Sequence, residues 1–503
     1  TLFRSGFIYM PSIITVNGVS FELPNGRTLF NNISFSLNSK MTALVGPNGV
    51  GKTCLAKLIV GDFSPTIGTV RKSGAVAFFS QREIAKAITV EDYLSPRYSW
   101  SVLGEKLLTG IDRATFCSNL SGGQWMRVRL ASTIDDQFLI LDEPTNDLDR
   151  EAKSILRNFL GEYQHGVLLI SHDREFLALC DDVLELSNQG LEKYGGGWQS
   201  YEDEKERERN QSVNELDRAK RERDKTKAER TIQIERQEKR NRQGKKSAEK
   251  GGMPKILIGA RKRKAQATTG KVDASTMERA NTKVKEAYEA FSKIKIDPIM
   301  YADLNGVEIP SQKLVAEAKD YNVFFDRWLY ENDLNFSWRG NVRLAIKGAN
   351  GSGKTTLIKA ILGNSLKTKG ELRLGKLSTL YLDQQCSTLN ETQSVFENVR
   401  AVSKMSESEI RNNLAKLLFT GDSVFQEVHS LSGGERLRTA LACGLLAQEK
   451  PELIILDEPT NNLDLGNIKF LENLISQFKG AVIIISHDEI FLKECGIDDE
   501  LSL

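Results

Sequence analysis

GPNGVGKT, Gly46 to Thr53, decides the fold of this 503-residue chain. It follows a short apolar run, Met41 to Val45, and leads into a helical stretch, Lys52 to Val60. A glycine-rich turn between a buried strand and a helix presents backbone N–H groups at the positive end of that helix. Such a turn cradles phosphate oxygens. Gly46, Asn48, Gly49 and Gly51 are expected to line the cradle, Lys52 to reach the β- and γ-phosphates, and Thr53 to offer its hydroxyl to Mg²⁺. The expected cofactors are ATP and Mg²⁺.

The pattern occurs twice. GANGSGKT at Gly348 to Thr355 supplies Gly348, Asn350, Gly351, Gly353, Lys354 and Thr355, with Thr356 next. LSGGQ at Leu120 to Gln124 returns as LSGGE at Leu431 to Glu435. FLILDEPTNDLD at Phe138 to Asp149 returns as LIILDEPTNNLD at Leu453 to Asp464, and LLISHD at Leu168 to Asp173 as IIISHD at Ile483 to Asp488. One order repeated about 300 residues apart marks a duplicated domain, not a solenoid of short repeats. Phe138 to Leu141 and Val167 to Ile170 are continuous apolar runs, as strands covered on both faces require. The fold class expected is α/β: two P-loop nucleotide-binding domains with ligands at the carboxyl edge of their strands.

The chemistry-bearing residues sit at those edges. Asp142 and Asp457 end apolar strands and suit a metal held through water, while Glu143 and Glu458, next in the chain, can polarise an attacking water. His172 and His487 follow equivalent strands and are expected to sense the γ-phosphate. Gln81 and Gln384 lie about 30 residues past the two lysines and could hold metal or water, with Gln385 an equally simple choice for the second. Phe21 is a candidate for stacking on adenine, and Phe324 or Phe325 a weaker one; core packing is the alternative for all three.

Composition bounds the rest. The net charge is only +2, yet residues 201–300 hold 28 Lys and Arg against 18 Asp and Glu, a local +10 that leaves −8 elsewhere. A basic segment between acidic domains suggests a polyanionic partner. Tyr201 to about Arg242 is polar and free of Gly and Pro, and predicts a helix spanning about 60 Å. Glycines and Pro254 are expected to break it between Gly244 and Lys264, before a return helix over roughly Ala274 to Ile296. The domains expected are therefore 1–200, a basic helical-hairpin linker over 201–300, and 301–503. Six scattered cysteines without a C-x-x-C pair exclude a zinc module and fit a reducing cytoplasm. No apolar run approaches the roughly 18 residues of a membrane span, and the first nine residues lack the apolar core of a secretory signal. Met10 is a candidate native start.

LSGGQ and LSGGE together with the motifs above resemble the signature of ATP-binding cassette proteins, and the resemblance covers both halves. It implies that each signature completes the opposite site. Site one then joins Lys52, Thr53, Gln81, Asp142, Glu143 and His172 to Ser432, Gly433 and Gly434. Site two joins Lys354, Thr355, Gln384, Asp457, Glu458 and His487 to Ser121, Gly122 and Gly123. Glu435 stands where Gln124 does and, lying beyond the Ser-Gly-Gly contact, is expected to matter little. Both sites keep a catalytic carboxylate, so both are expected to hydrolyse ATP.

Three roles compete: the ATPase of a transporter, a DNA-maintenance ATPase, and a ribosome-bound factor of the F subfamily (ABC-F). DNA-maintenance cassettes carry a coil between the phosphate loop and the signature, an interval that is short here in both halves. Twin cassettes with a helical-hairpin linker, and the runs DEPTNDLD and DEPTNNLD, resemble ABC-F. That resemblance implies a cytoplasmic monomer with intramolecular cassette pairing and no membrane subunit. It implies a ribosome partner, through rRNA and P-site tRNA, and a linker reaching from the tRNA exit site toward the peptidyl-transferase centre. Lys245, Lys246, Lys255, Arg261, Lys262, Arg263 and Lys264 flank apolar Met253, Ile256, Leu257 and Ile258, suiting contact with RNA. Both a housekeeping translation factor and an antibiotic-resistance protein fit, with ribosome protection or rescue of stalled complexes slightly favoured.

Overall fold

The computed structural model describes residues 14–80, 83, 85–95, 102–133, 137–146, 148–250, 282, 308–363, 367–461 and 463–503. Contacts divide the chain into one unit of Thr1–Tyr201 with Ile299–Leu503, and a second of Glu202–Pro298.

In the first half, β1 (Ile14–Glu22), β2 (Thr28–Leu37) and β4 (Ile67–Lys72) form an antiparallel sheet in the order β2-β1-β4. A larger sheet is built from β3 (Met41–Val45), β5 (Val76–Phe79), β6 (Phe138–Asp142), β7 (Val167–Ile170), β8 (Asp182–Ser187) and β9 (Gly190–Gly195), ordered β5-β6-β7-β3-β8-β9. All its pairs are parallel except β8 with β9. The second half repeats the plan. β10 (Leu314–Val323), β11 (Leu334–Arg339) and β13 (Thr368–Leu374) pair antiparallel. β12 (Arg343–Lys347), β14 (Thr379–Leu382), β15 (Leu453–Asp457), β16 (Ala481–Ile485) and β17 (Asp499–Ser502) pair parallel in the order β14-β15-β16-β12-β17.

The burial pattern explains why the apolar runs lack alternation. Every residue of β6, β7, β15 and β16 is buried, because helices cover one face and the antiparallel sheet the other. Each half therefore has two cores. In the first, Leu55, Ile59 and Phe138 pack toward the antiparallel sheet, while Leu139, Leu156 and Phe176 pack on the helical side. The strand β3 and the helix Lys52–Val60 have the bounds the sequence predicted.

The interdomain helix differs from its expectation. It runs unbroken over Gly197–Lys250, 54 residues, or about 81 Å at 1.5 Å per residue. It starts earlier because Trp198 and Tyr201 are buried in the first half's core, with Tyr201 edge-on to Tyr194 at 5.1 Å. It passes through Gly244 because one glycine, at about 1 kcal/mol, does not offset a long run of strong helix formers such as Glu, Lys and Arg. The residues 251–264 of the expected tip and nearly all of the expected return helix lie outside the described residues; Thr282 within it is helical.

Candidate functional site

Both phosphate loops are set by backbone conformations that side chains would block. Gly46 has φ 148°, and a Cβ there would stand 2.1 Å from the Leu186 carbonyl oxygen; at Gly348, φ 156°, a Cβ would meet Ser352 Oγ at 2.5 Å. Each loop closes around its lysine. Lys52 Nζ donates to the carbonyls of Gly46 (2.6 Å) and Pro47 (3.2 Å), and Lys354 Nζ to those of Gly348 (2.7 Å) and Ala349 (3.1 Å). Burial lowers the pKa of both ammonium groups, while the carboxylates facing them pull it back up: Glu143, Asp464 and Asp142 for Lys52, and Glu458, Asp457 and Asp149 for Lys354.

Asp142 and Asp457 end β6 and β15 as expected from their runs. Thr355 Oγ1 donates to Asp457 Oδ2 at 2.8 Å, and Thr53 hydrogen-bonds Asp142. Asp142 Oδ2 is buried without a hydrogen-bond partner. A hydroxyl on a buried carboxylate that keeps an unused oxygen fits Mg²⁺ held through water beside a bound nucleotide. Gln384 lies on the turn after β14 and lines a cavity with Asn350, Glu458 and His487. Gln81 lies outside the described residues.

Glu143 and Glu458 both adopt φ 48°, the left-handed region, at the end of their strands. Non-glycine residues there carry about 1–3 kcal/mol of strain each and need surrounding structure to hold them. The hold is the same twice: Glu143 N–H donates to Ile170 O (2.8 Å) and Glu458 N–H to Ile485 O (2.9 Å). The carboxyls are thereby turned toward the histidines. His172 Nε2 lies 3.4 Å from Glu143 Oε1, and His487 Nε2 3.5 Å from Glu458 Oε1 and 3.5 Å from Lys354 Nζ. These are not ion pairs. Burial, reinforced by Lys52, holds His172 well below the usual imidazole range, and burial with Lys354 and Lys153 takes His487 down to about 4. Neither His172 ring nitrogen has a hydrogen bond of proper geometry.

Burial pushes the Glu143 carboxyl up to about 8 and that of Glu458 up to about 7. Glu143 ionises near 4.5 when unfolded, so between those values the folded chain holds the extra proton. Its stabilising contribution is complete below the lower value and is lost as pH rises through the upper one. Without nucleotide, the melting temperature of Glu143→Gln should match the parent near about pH 5 and exceed it progressively toward about pH 8.5. A difference that stays constant across the range would refute the raised pKa.

The two halves meet around these groups. Asn48 N–H, in the first phosphate loop, donates to Asp464 Oδ2 of the second half at 3.2 Å. Asp464 Oδ1 accepts from Asn467 Nδ2 at 2.7 Å, and Asn467 lies so close to Gly434 that a Cβ there would be 2.3 Å from its Nδ2. The second signature thus stands next to the first phosphate loop through two residues. In the mirrored direction, Asp149 of the first half acts electrostatically on Lys354.

The signatures themselves differ. Ser121 N–H donates to Gln124 Oε1 (3.0 Å), and Gln124 N–H to Ser121 Oγ (3.2 Å). At the second signature Ser432 donates both its N–H (2.9 Å) and its hydroxyl (2.7 Å) to Glu435 Oε2. Glu435 shares the capping role that Gln124 has in the first signature, and its carboxylate in addition accepts the Ser432 hydroxyl at the start of the helix Gly433–Leu445. Gly122, Gly123 and Gly433 open the same helix turns.

Phe21 is corrected toward its core-packing alternative. It is 8% exposed and stacked on Phe63 at 5.6 Å and on Phe30 at 6.1 Å, inside the core against the antiparallel sheet. Phe325 is exposed, and Phe324 meets Trp328 edge-on at 5.2 Å under Lys367.

Sequence reading passed over Glu83, whose carboxylate receives Arg129 (3.2 Å) and Tyr93 (3.1 Å) while its carbonyl receives Trp125 Nε1 (3.0 Å). Trp125 and Arg129 lie on the signature helix Gly122–Thr133, so Glu83 ties that helix to the segment just after Gln81. The signal available was an Arg, Arg129, set between the apolar Val128 and Leu130 on that helix.

The ABC transporter family pattern matches twice, over residues 30–146 and 331–461. Ribosome protection protein VmlR of Bacillus subtilis (strain 168) is 27% identical over 498 residues, covering 96% of this chain and 86% of that protein. ATP-binding protein Uup of Buchnera aphidicola subsp. Schizaphis graminum (strain Sg) is 28% identical over 508 residues, covering 96% of this chain and 79% of that protein. A chain in the crystal structure of the complex of archaeal ribosomal stalk protein aP1 and archaeal ribosome recycling factor aABCE1 aligns with a TM-score of 0.59 at 17% identity. That alignment covers 95% of this chain and 86% of that one, a likeness of fold. Among the described residues no helix is long and apolar enough to cross a membrane.

Proposed function

The chain belongs to the ATP-binding cassette family, as a twin-cassette ATPase of the F-subfamily type, and on that premise we propose that it acts on the ribosome. ATP bound in each phosphate loop meets the opposite signature and holds the cassettes together. Hydrolysis at Glu143 and Glu458, which polarise the attacking water, lets them part, because ATP has a higher affinity for the paired arrangement than the products have. Lys52 and Lys354 neutralise phosphate charge, His172 and His487 present neutral imidazoles toward the γ-phosphate, and Ser121 and Ser432 with their glycines close the sites. Thr53 with Asp142, and Thr355 with Asp457, would hold Mg²⁺, which would supply further neutralisation of the phosphates; Gln81 and Gln384 are assigned to the same role.

The cycle sets and releases the linker. The observation that carries this reading is the unbroken 54-residue helix leading from the first cassette toward the basic run that ends at Lys264. A rod of that length delivering cations and apolar residues suits entry into an RNA crevice. A relative named for ribosome protection, aligned over 96% of this chain, supports the same partner. The working site is the tRNA exit site with the tip toward the peptidyl-transferase centre, in the cytoplasm, by a monomer whose own cassettes pair. The outcome is protection from antibiotics or rescue of stalled complexes.

Pelleting of the Glu143→Gln/Glu458→Gln variant with 70S ribosomes tests the partner. ATP-dependent co-sedimentation is expected. Replacing Lys255, Arg261, Lys262, Arg263 and Lys264 by Ala should weaken it and flatten the salt dependence by about one logarithmic unit of slope per lost phosphate contact. Equal pelleting without ATP, or an unchanged salt slope, would remove the ribosome from the scheme. Inhibitory concentrations of macrolides, lincosamides and pleuromutilins, with and without expression, separate protection from rescue.

A further inference from the structure

We propose that Lys153 couples the two ATP sites: one largely buried ammonium, hydrogen-bonded to Asp173 and attracting Asp488, the aspartates that follow the two γ-phosphate-facing histidines, makes turnover at either site depend on the other. This goes beyond the ribosome reading and rests only on the assignment of Glu143 with His172, and Glu458 with His487, to two ATP sites.

Lys153 Nζ lies 2.7 Å from Asp173 Oδ2, with the side chains 16% and 12% exposed. Asp173 is pinned to the histidine loop of site one: its N–H donates to Ser171 Oγ (3.1 Å), and its Oδ1 accepts from Glu175 N–H (3.1 Å). Asp488 is pinned in the same way in site two, by Ser486 Oγ (3.1 Å) and Phe491 N–H (2.8 Å). A cavity holding Glu143, His172 and Asp173 and another holding Glu458, His487 and Gln384 are both lined by Lys153 and Asp488. The two aspartates repel each other, and Lys153 attracts both. The same ammonium also acts on Glu458 and His487, across the junction from its own half.

The duplication makes the arrangement one-sided. Lys153 stands four residues after Asp149; four residues after Asp464 stands Ile468, buried at 2%. One lysine therefore stands where a symmetric arrangement would have two; its hydrogen bond is made to Asp173, and Arg174 joins it in attracting Asp488. Any movement of His172 that carries Asp173 away from Lys153 redirects that charge toward Asp488 and the second site. Movement of His487 acts in reverse. Coupling of this kind needs a discrete element that both sites bias. The ammonium between two competing acids is such an element.

The test is steady-state ATP turnover of the full chain with Glu143→Gln or Glu458→Gln, each in the parent and in the Lys153→Met background. In the parent, the two single-site rates should sum to at least about fivefold less than the intact rate, the usual lower bound of a coupling between sites. With Lys153→Met the two rates should sum to the intact Lys153→Met rate, at unchanged KM for ATP. Lys153→Arg should keep the parent's deficit. Asp488→Asn, whose amide oxygen can still cap its helix, should abolish it, and this keeps the test valid if Lys153→Met fails to fold. A deficit that survives Lys153→Met or Asp488→Asn overturns the proposal, as does one lost equally in Lys153→Arg. Parental turnover in the two glutamate variants would instead overturn the site assignment, before Lys153 is touched, and the proposal with it.

Discussion

Glu143→Gln combined with Glu458→Gln lowers ATP turnover by at least about a hundredfold, the ordinary contribution of a positioned general base, and leaves ATP bound between paired cassettes. Gln has the shape of Glu and meets the same backbone demand, so the residue at φ 48° stays in place in both sites. What is lost is the ability to accept a proton from water. The phosphate loops, Lys52 and Lys354, and the contact of Asn48 with Asp464 are untouched. Retention of ATP should follow, since hydrolysis is the step that lets the cassettes part. Turnover and nucleotide retention after gel filtration measure the two halves of this expectation. A double variant that hydrolyses ATP at the parental rate would mean that the base lies elsewhere; one that loses turnover together with ATP would mean that these carboxylates hold the fold of the site.

The duplicated motifs made the fold and most of the site legible, because phosphate chemistry demands glycine, lysine and carboxylate at fixed offsets. Composition alone marked the continuous apolar runs as buried strands. Three things lay beyond that reading. The left-handed conformation of Glu143 and Glu458 has no residue signature, since it is imposed by hydrogen bonds to Ile170 and Ile485 from the neighbouring strands. The burial of Phe21 depends on Phe63, 42 residues later and reached only when the chain folds back. The helix continues to Lys250, past the polar stretch that ends near Arg242 and through Gly244, because a single glycine inside so long a helix is a small penalty. In the first two cases tertiary context overrode a local rule; in the third the neighbouring helix formers outweighed one glycine.

The same context governs the junction between cassettes, where SHDR in one half and SHDE in the other were visible but silent. Arg174 reaches across to Glu472: Nη2 donates to Oε2 at 3.0 Å, and Nη1 lies 2.9 Å from Oε1, with the side chains 8% and 9% exposed. Burial raises the Glu472 carboxyl despite the hydrogen bond and charge of Arg174. A buried ion pair of this kind is costly to break by removing one partner, whereas replacing both partners with apolar groups is often neutral or stabilising. Arg174→Ala is expected to destabilise the cassette junction by about 3–5 kcal/mol, because it strands a carboxyl between Asp488 and Glu494. Glu472→Leu alone should do similar damage by stranding the guanidinium. The double change Arg174→Met/Glu472→Leu, which removes both charges and keeps apolar volume, should return to parental stability or exceed it. Thermal unfolding gives the cycle, and the ATP-dependent distance between spin labels on the two cassettes shows whether pairing follows it. If the double variant is as impaired as the sum of the single ones, the coupling is absent and Arg174 acts through some other contact.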